Sequence, residues 1–192
     1  MNLTGLSAKR PVRKRDGMNI VLIGYRCTGK TSVAQVLAGE LGREFVDSDR
    51  LVEEKAGICI DAIVDSMGWD HFRRLEKESI GEISGKDNQI VSTGGGVVLN
   101  RENVDRLRQN GLIVWLKGRA DVLRDRMKQD LNSGKIRPPL SANDPLEEIG
   151  LLLEQRNDLY ENAADFIVDT SELSIREVAD SVALAFRRTD MS

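Results

Sequence analysis

Short apolar runs alternate along the chain with segments in which apolar residues recur every three or four positions. Five runs predict β-strands: Asn19–Ile23, Glu44–Asp47, Gln89–Ser92, 112–116 and Phe166–Asp169. Helical spacing follows each of them, at 30–41, in an acidic stretch after 47, and at 72–83, 101–110, 121–128, 145–160 and 174–186. Strands that alternate with helices indicate an α/β fold, in which helices flank a parallel sheet on both faces.

Two segments depart from this alternation. Residues 1–17 are basic and carry almost no apolar side chain after Leu6, so we expect a flexible leader before a single domain of residues 18–192. Residues 129–143 are polar, contain two consecutive prolines and show no periodicity. A loop of this length inside a compact domain is often a mobile lid.

Composition and charge narrow the range of functions. The 192 residues are 40% hydrophobic with a net charge of -3, which is typical of a globular protein and disfavours a nucleic-acid binder. No apolar run reaches the roughly 18 residues of a spanning helix. Two cysteines and one histidine are too few for a disulfide framework or most zinc sites. We therefore expect a cytoplasmic protein that binds neither nucleic acid nor membrane. We also expect it to be a monomer.

Residues 24–31, GYRCTGKT, match the phosphate-binding loop G-x-x-x-x-G-K-[ST] between a strand and a helix. Its glycines let successive N–H groups point inward, and the helix start adds the positive end of its dipole. Lys30 is expected to bridge the outer phosphates of ATP and Thr31 to ligate Mg²⁺. The residues predicted to contact the nucleotide here are Gly24, Cys27, Thr28, Gly29, Lys30, Thr31 and Ser32.

The loop alone does not distinguish a kinase of small molecules from a switch GTPase. The sequence lacks the base-reading N-K-x-D motif expected of such a GTPase, which favours the kinase.

Asp47 and Asp49 follow the second strand, at the carboxyl edge where open α/β sheets bind ligands. On an extended segment both would face the same side, so one carboxylate can hold Mg²⁺ through water while the other orients a substrate hydroxyl. The competing interpretation is that Asp49 only caps the following helix.

Further candidates occur later in the chain. Arg73 and Glu76 lie three residues apart on a predicted helix, where they can pair. A triple glycine follows the third strand: Gly94, Gly95 and Gly96. Without side chains it lets a ligand approach the backbone. Arg137 lies in the expected lid, where closure would bring its charge onto the transferred phosphate, and Arg156 lies on the next helix.

In this order, the phosphate loop, Asp-x-Asp, Phe-Arg-x-x-Glu, triple glycine, Arg-Pro and Arg-x-x-x-Tyr resemble the shikimate kinase family over residues 18–186. The resemblance implies a P-loop NTPase of the nucleoside-monophosphate-kinase-like fold, with a five-stranded parallel sheet in the order 2-3-1-4-5 and a mobile lid. It also implies phosphorylation by ATP of the 3-hydroxyl of shikimate, a step of the chorismate pathway.

The resemblance assigns the substrate side of the site. Asp49 matches a residue that contacts substrate hydroxyls, and Arg73 and Arg156 match arginines that bind the carboxylate of shikimate. Two guanidinium groups can hold a small carboxylate in a bidentate manner, which two lysines would do less well. Shikimate contacts are also expected from the backbone of Gly94, Gly95 and Gly96. Whether Asp49 acts as a true base stays open.

The nucleotide side follows from the same resemblance. Arg137 matches an arginine that closes over the phosphates, so Lys30, Asp49 and Arg137 form the expected catalytic set. Thr31 and Asp47 are the residues expected to bind Mg²⁺. Arg126 resembles a stacking partner of the adenine base, next to residues 169–170.

Three departures from the family pattern stand out. The lid reads Arg-Pro-Pro-Leu where the family usually has Arg-Pro-Leu-Leu. Gly68 and Trp69 replace a common Gly-Glu, so an acidic residue that would orient Arg73 is absent, with Asp70 as a candidate replacement. The phosphate loop carries Tyr25, Arg26 and Cys27 where smaller residues are more common, and the sequence explains neither Tyr25 nor Arg26.

Two alternatives remain. A gluconate kinase would share the phosphate loop but is not expected to carry Phe-Arg-x-x-Glu together with the triple glycine. A regulatory ATP-binding protein that has lost catalysis would be expected to have replaced at least one of five residues that are all present: Lys30, Thr31, Asp47, Asp49 and Arg137.

Overall fold

A twisted sheet forms the frame of the molecule. The computed structural model describes residues 6–9, 17–132 and 145–189. Six strands within these ranges are Leu6–Ala8 (β1), Asn19–Ile23 (β2), Glu44–Asp47 (β3), Gln89–Ser92 (β4), Gly111–Lys117 (β5) and Phe166–Asp169 (β6). They form one sheet in the order β1-β6-β5-β2-β4-β3.

The five strands from β2 to β6 confirm the predicted sheet. All of their neighbouring pairs are parallel. When β2 is counted as the first strand and the sheet is followed from β3 to β6, the order is the predicted 2-3-1-4-5. Four have the predicted bounds, and β5 is one residue longer at each end than the predicted 112–116. Because the strands are parallel, their carboxyl ends meet at one edge of the sheet, where ligands bind in open α/β folds.

Helices cover both faces of the sheet. Their bounds are Lys30–Leu41 (α1), Ser48–Ala56 (α2), Ile60–Ser84 (α3), Arg101–Gln109 (α4), Ala120–Asn132 (α5), Pro145–Ala163 (α6) and Ile175–Arg188 (α7). A short 3₁₀-helix, Val97–Leu99, precedes α4. In the described part of the chain, no helix combines the length and the apolar character that crossing a membrane requires.

The central strand β2 divides the hydrophobic core in two. Ile20 and Leu22 pack in a cluster with α1 and α7, whereas Val21 and Ile23 pack on the opposite face with α3, α4 and α6. All five residues of β2 are buried. A strand covered by helices on both faces needs apolar side chains at consecutive positions, which is why the sequence shows a continuous apolar run here.

Strand β1 lies within residues 1–17, for which the sequence predicts a flexible leader, and it corrects that prediction for residues 6–8 only. Leu6–Ala8 pair antiparallel with β6, and the backbone N–H of Lys9 donates to the Asp165 carbonyl oxygen at 2.8 Å. Lys9 also forms an ion pair with Glu161. Pairing at a sheet edge depends on backbone groups, so the three residues Leu-Ser-Ala form this strand although they are too few to show the periodicity from which strands are predicted.

Two helices, α3 and α5, differ most from their predicted ranges. The predicted helix 72–83 is the second part of α3, which begins at Ile60 and is interrupted at Gly68, where φ is 81° and ψ is 169°. The first residues of the expected lid, 129–132, continue α5 to Asn132. The rest of the expected lid, residues 133–143, lies outside the described residues.

The N-terminus of α7 allows a test of a local contribution to stability. Ser174 and Glu177 form a capping box: the Ser174 hydroxyl accepts from the Glu177 N–H at 3.3 Å, and Glu177 Oε2 accepts from the Ser174 N–H at 2.9 Å. We expect Ser174→Ala to cost about 1 kcal/mol and to lower the melting temperature by about 2–4 °C. Thermal unfolding followed by circular dichroism measures this shift.

Ser66→Ala is the matched control. Ser66 is exposed within α3, and its hydroxyl donates to the Ala62 carbonyl inside the same helix instead of capping it. Alanine favours helix at such a position, so the melting temperature should not fall. Equal losses in both variants would contradict the capping role of Ser174.

Candidate active site

The phosphate loop joins β2 to α1. Gly29 ends the loop with φ 87°, and no side chain caps α1. The N–H groups of the first turn therefore have no side-chain acceptor and, together with the helix dipole, form a site for phosphate. A Cβ on Gly24, where φ is 144°, would lie less than 3.0 Å from the Leu116 carbonyl oxygen. Only glycine fits where the loop passes the end of β5.

Side chains of the loop contact its own backbone. The Thr28 hydroxyl donates to the Tyr25 carbonyl at 2.9 Å. The ammonium group of Lys30 donates to the carbonyls of Gly24 at 2.9 Å and Tyr25 at 2.7 Å. Lys30 is buried, so its charge lies within the loop that is expected to surround the phosphates. Ser32, also a predicted nucleotide contact, is exposed on the first turn of α1.

Three side-chain oxygens meet beside this first turn. Thr31 Oγ1 lies 3.1 Å from Asp47 Oδ2 and 3.1 Å from Ser92 Oγ. Hydroxyl and carboxylate oxygens are donors that Mg²⁺ prefers, so the two residues predicted for this ion fit it. Sequence reasoning missed Ser92, whose signal is a hydroxyl residue at the carboxyl end of a buried strand, two residues before Gly94.

Asp47, and not Asp49, caps α2. Its Oδ1 accepts from the backbone N–H groups of Asp49 at 3.0 Å and Arg50 at 3.4 Å. Because α2 begins at Ser48, Asp49 lies in the first helical turn. The expected extended segment was therefore wrong, and so was the interpretation of Asp49 as the cap. The two carboxylates instead take different positions: that of Asp47 contacts the Thr31 hydroxyl, and that of Asp49 lies against Gly94, just after β4.

Gly94 receives two groups from the start of α2. Its N–H donates to Ser48 Oγ at 3.0 Å. A Cβ on Gly94 would lie less than 3.0 Å from Asp49 Oδ1. The Asp49 carboxylate therefore rests directly on the backbone, in a position that a side chain at residue 94 would block. Sequence reasoning did not identify Ser48, which is buried between the two aspartates.

The neighbouring glycines contact other parts of the site. A Cβ on Gly95 would lie 3.5 Å from the Gly24 carbonyl oxygen and 3.6 Å from the Arg26 nitrogen. A Cβ on Gly96 would lie less than 3.0 Å from a terminal nitrogen of Arg73. Residues 94–96, hereafter the glycine tract, thus bring the phosphate loop, Asp49 and Arg73 together around one stretch of bare backbone.

Arg73 is held by a buried carboxylate. Its Nη1 donates to both oxygens of Glu76, at 3.0 and 2.9 Å. The Glu76 side chain is only 1% exposed, whereas that of Arg73 is 27% exposed. Burial raises the pKa of Glu76, and the charges of Arg73 and Arg156 oppose this rise. Two guanidinium groups therefore act on one buried carboxylate, which leaves positive charge beside the glycine tract.

Arg156 and Tyr160 reach the same tract from α6. Both donate to the Gly95 carbonyl oxygen, Arg156 through Nη1 at 3.5 Å and Tyr160 through its hydroxyl. The Tyr160 ring stacks on Trp115, with centroids 5.6 Å apart. Burial raises the pKa of the Tyr160 phenol, so the hydroxyl remains a donor at neutral pH. Arg156 is itself buried, and its direction is fixed by these neighbours.

Arg126 connects α5 to the loop after β6. It donates to the Thr170 carbonyl at 2.7 Å, to the Thr170 hydroxyl at 3.2 Å and to the Cys27 carbonyl at 3.5 Å. Cys27 adopts φ 62°, and its Sγ lies 3.7 Å from Asp130 Oδ2. The residues predicted for the adenine side thus lie beside the phosphate loop. Arg137 lies outside the described residues.

The site therefore has two parts that meet at the glycine tract. On one side, N–H groups, Lys30 and Thr31 form a place for phosphates and a divalent ion. On the other, Asp49 faces a cationic region formed by Arg73 and Arg156. Such an arrangement can bring a nucleotide against a small anionic molecule that carries a hydroxyl group.

Known proteins are similar in sequence to this chain over most of its length. The family model for shikimate kinase matches residues 26–186. A shikimate kinase of Thermodesulfovibrio yellowstonii is 43% identical over 88% of this chain and 95% of its own. One of Caldanaerobacter subterraneus subsp. tengcongensis is 41% identical over 88% and 95% of the two chains.

Solved structures agree with the sequence relatives. The shikimate kinase of Acinetobacter baumannii, in complex with shikimate, superposes with a TM-score of 0.83 at 31% identity, and the match covers 91% of this chain and 96% of that one. The family match spans well over half of the chain and confirms the resemblance seen in the motifs. The chain therefore belongs to the shikimate kinase family, enzymes that phosphorylate shikimate with ATP.

Proposed function

We propose that this chain transfers the γ-phosphoryl group of Mg-ATP to the 3-hydroxyl of shikimate. The observation that carries the proposal is the glycine tract, on which the phosphate loop, Asp49, Arg73 and Arg156 all converge. A nucleotide phosphate and a carboxylate bound there would be separated by about one small molecule. This geometry suits direct transfer between two bound reactants.

Lys30 and the N-terminus of α1 would bind the phosphates and stabilise the charge that develops during transfer. Mg²⁺, when bound, would neutralise part of the phosphate charge, with Thr31 as its ligand and Asp47 holding it through water. Asp49 would orient the 3-hydroxyl and can accept its proton. Arg137 keeps its proposed role of closing over the phosphates, and Arg126 its role at the adenine base.

Arg73 and Arg156 would bind the carboxylate of shikimate. Their shared partner is the single buried carboxylate of Glu76, so together they retain positive charge for an anionic ligand. Planar guanidinium groups match a carboxylate through paired hydrogen bonds. Backbone groups of the glycine tract, with no side chains in the way, would contact the ring hydroxyls. We further propose that the enzyme works as a monomer in the cytoplasm.

The acceptor specificity can be tested directly. ADP release from Mg-ATP should depend on shikimate, and gluconate, quinate and a control without acceptor should give only background. Release driven by gluconate or quinate would preserve the kinase but contradict the carboxylate-binding role of the two arginines. ATP binding without release for any acceptor would favour the regulatory protein.

Substitutions should separate the two parts of the site. We expect Arg73→Ala and Arg156→Ala each to raise KM for shikimate at least tenfold, because losing a partly buried charged partner costs about 2–5 kcal/mol. Lys30→Ala should abolish turnover while shikimate still binds, as measured by isothermal titration calorimetry. Arg101→Ala, which removes an arginine 94% exposed on α4, should change neither quantity. An unchanged KM in both arginine variants of the site would refute their role.

The glycine tract offers a steric test. Gly96→Ala would place a methyl group against the guanidinium of Arg73, which must then move. We expect KM for shikimate to rise about tenfold, since displacing a charged donor costs about 1.4 kcal/mol, while kcat changes little. Steady-state kinetics at saturating ATP measure both.

Gly39→Ala is the control for this test. Gly39 lies on α1 with no atom within 4 Å of the added Cβ, so the variant should bind shikimate normally and gain about 0.5–1 kcal/mol of stability. If Gly96→Ala also bound shikimate normally while remaining folded, Arg73 would not be held against the tract as proposed.

A further inference from the structure

Trp69 occupies a special position in α3. The helix is broken at Gly68, whose φ of 81° is outside the helical range, and Trp69 is the first residue after the break. Phe72 and Arg73 follow at the spacings of three and four residues that bring side chains together on one helix face. The break thus starts a new helical segment that presents the Trp69 ring next to the Arg73 guanidinium.

Two aromatic rings bound this guanidinium. Arg73 Cζ lies 5.4 Å from the centroid of the Trp69 ring and 5.0 Å from that of Phe72. The two rings pack edge to face, with centroids 5.7 Å apart and an interplanar angle of 85°. Both distances are within the range of cation–π attraction, which is stronger for tryptophan than for phenylalanine.

The remaining contacts fix the direction of the arginine. Glu76 accepts both of its bonds from Nη1. Both terminal nitrogens, Nη1 and Nη2, lie less than 3.0 Å from the position that a Cβ of Gly96 would occupy, so this end of the guanidinium lies against the glycine tract. Trp69 itself packs against a buried apolar cluster that includes Val52 and Ile63, which anchors its ring between α2 and α3.

An aromatic ring holds an arginine without neutralising it. A second carboxylate beside Arg73 would compete with an incoming carboxylate for the same N–H groups, whereas the face of an indole ring leaves them available. Asp70, the candidate replacement in the sequence, is exposed, and the carboxylate that Arg73 contacts is Glu76. Trp69 therefore orients the Arg73 guanidinium and leaves its positive charge available, whereas an acidic residue would orient the guanidinium and also neutralise it.

We propose that Trp69 is a positioning residue for carboxylate recognition: its ring holds the Arg73 guanidinium against the glycine tract in the geometry that binds shikimate. The proposal rests on the proposed function, specifically on Arg73 as a ligand of the substrate carboxylate. It makes Trp69 act through Arg73 and not on the phosphoryl group. Loss of the ring should therefore weaken shikimate binding selectively.

The test combines single variants with a double-mutant cycle. Trp69→Leu should raise KM for shikimate about three- to tenfold, with kcat and KM for ATP within about twofold of the parent. Trp69→Phe, which keeps a ring, should recover most of the affinity. In the Arg73→Ala background, Trp69→Leu should have no further effect, because the group that it positions is gone. Phe186→Leu is the control, since it removes the ring beneath another arginine, Arg43, at 4.6 Å, away from the site.

The outcomes are distinguishable. Independent effects of Trp69→Leu and Arg73→Ala would overturn the positioning role and leave the carboxylate site intact. A parallel rise in KM for ATP together with a loss of thermal stability would also overturn it, because lost packing between α2 and α3 alone would explain that result. An unchanged KM in Arg73→Ala would overturn both the inference and the proposed role of Arg73. If Trp69→Leu does not fold, Trp69→Met, which also removes the ring, takes its place in the comparison of the two backgrounds.

Discussion

The active site depends on a steric constraint after β4, where two residues of the glycine tract, Gly94 and Gly96, must lack side chains. A Cβ at residue 94 would meet Asp49, and one at residue 96 would meet Arg73. Groups from α2, α3, α6 and the phosphate loop can therefore approach one stretch of backbone closely. Parallel strands bring their carboxyl ends to one edge in any such fold. Here the glycine tract converts that general edge into a site where two reactants can meet.

The charge balance beside the tract follows from burial. Among the described residues, Glu76 is the acidic group that contacts Arg73, and burial raises the pKa of Glu76 while both arginines oppose this effect. A buried carboxylate of this kind orients a guanidinium but cannot compensate two of them. The surplus charge lies on the substrate side of the tract, whereas the charge of Lys30 lies on the loop side. The two anionic reactants thus meet separate cationic groups.

Much of this architecture is predictable from the sequence, for reasons visible in the structure. The strands from β2 to β6 are short runs centred on apolar residues, and the phosphate loop, the two aspartates and the glycine tract lie at the carboxyl ends of β2, β3 and β4. Strand β1 was not predictable, because its pairing with β6 uses backbone groups. The roles of Asp47 and Asp49 were not separable either: both are aspartates near a helix start, and only the backbone conformation places the cap at Asp47.

Tyr25, which the sequence left unexplained, ties the phosphate loop to the rest of the fold. Its side chain is 2% exposed and packs with Leu123 and Met127 of α5 and Ile149 and Leu153 of α6. A small residue at this position would leave the loop without that apolar contact. Since α5 and α6 flank the segment that carries Arg137, a single buried ring holds the phosphate loop in register with the helices on both sides of that segment. Packing thereby couples the phosphate loop to the helices on either side of the segment that carries Arg137, for which we propose a role at the phosphates.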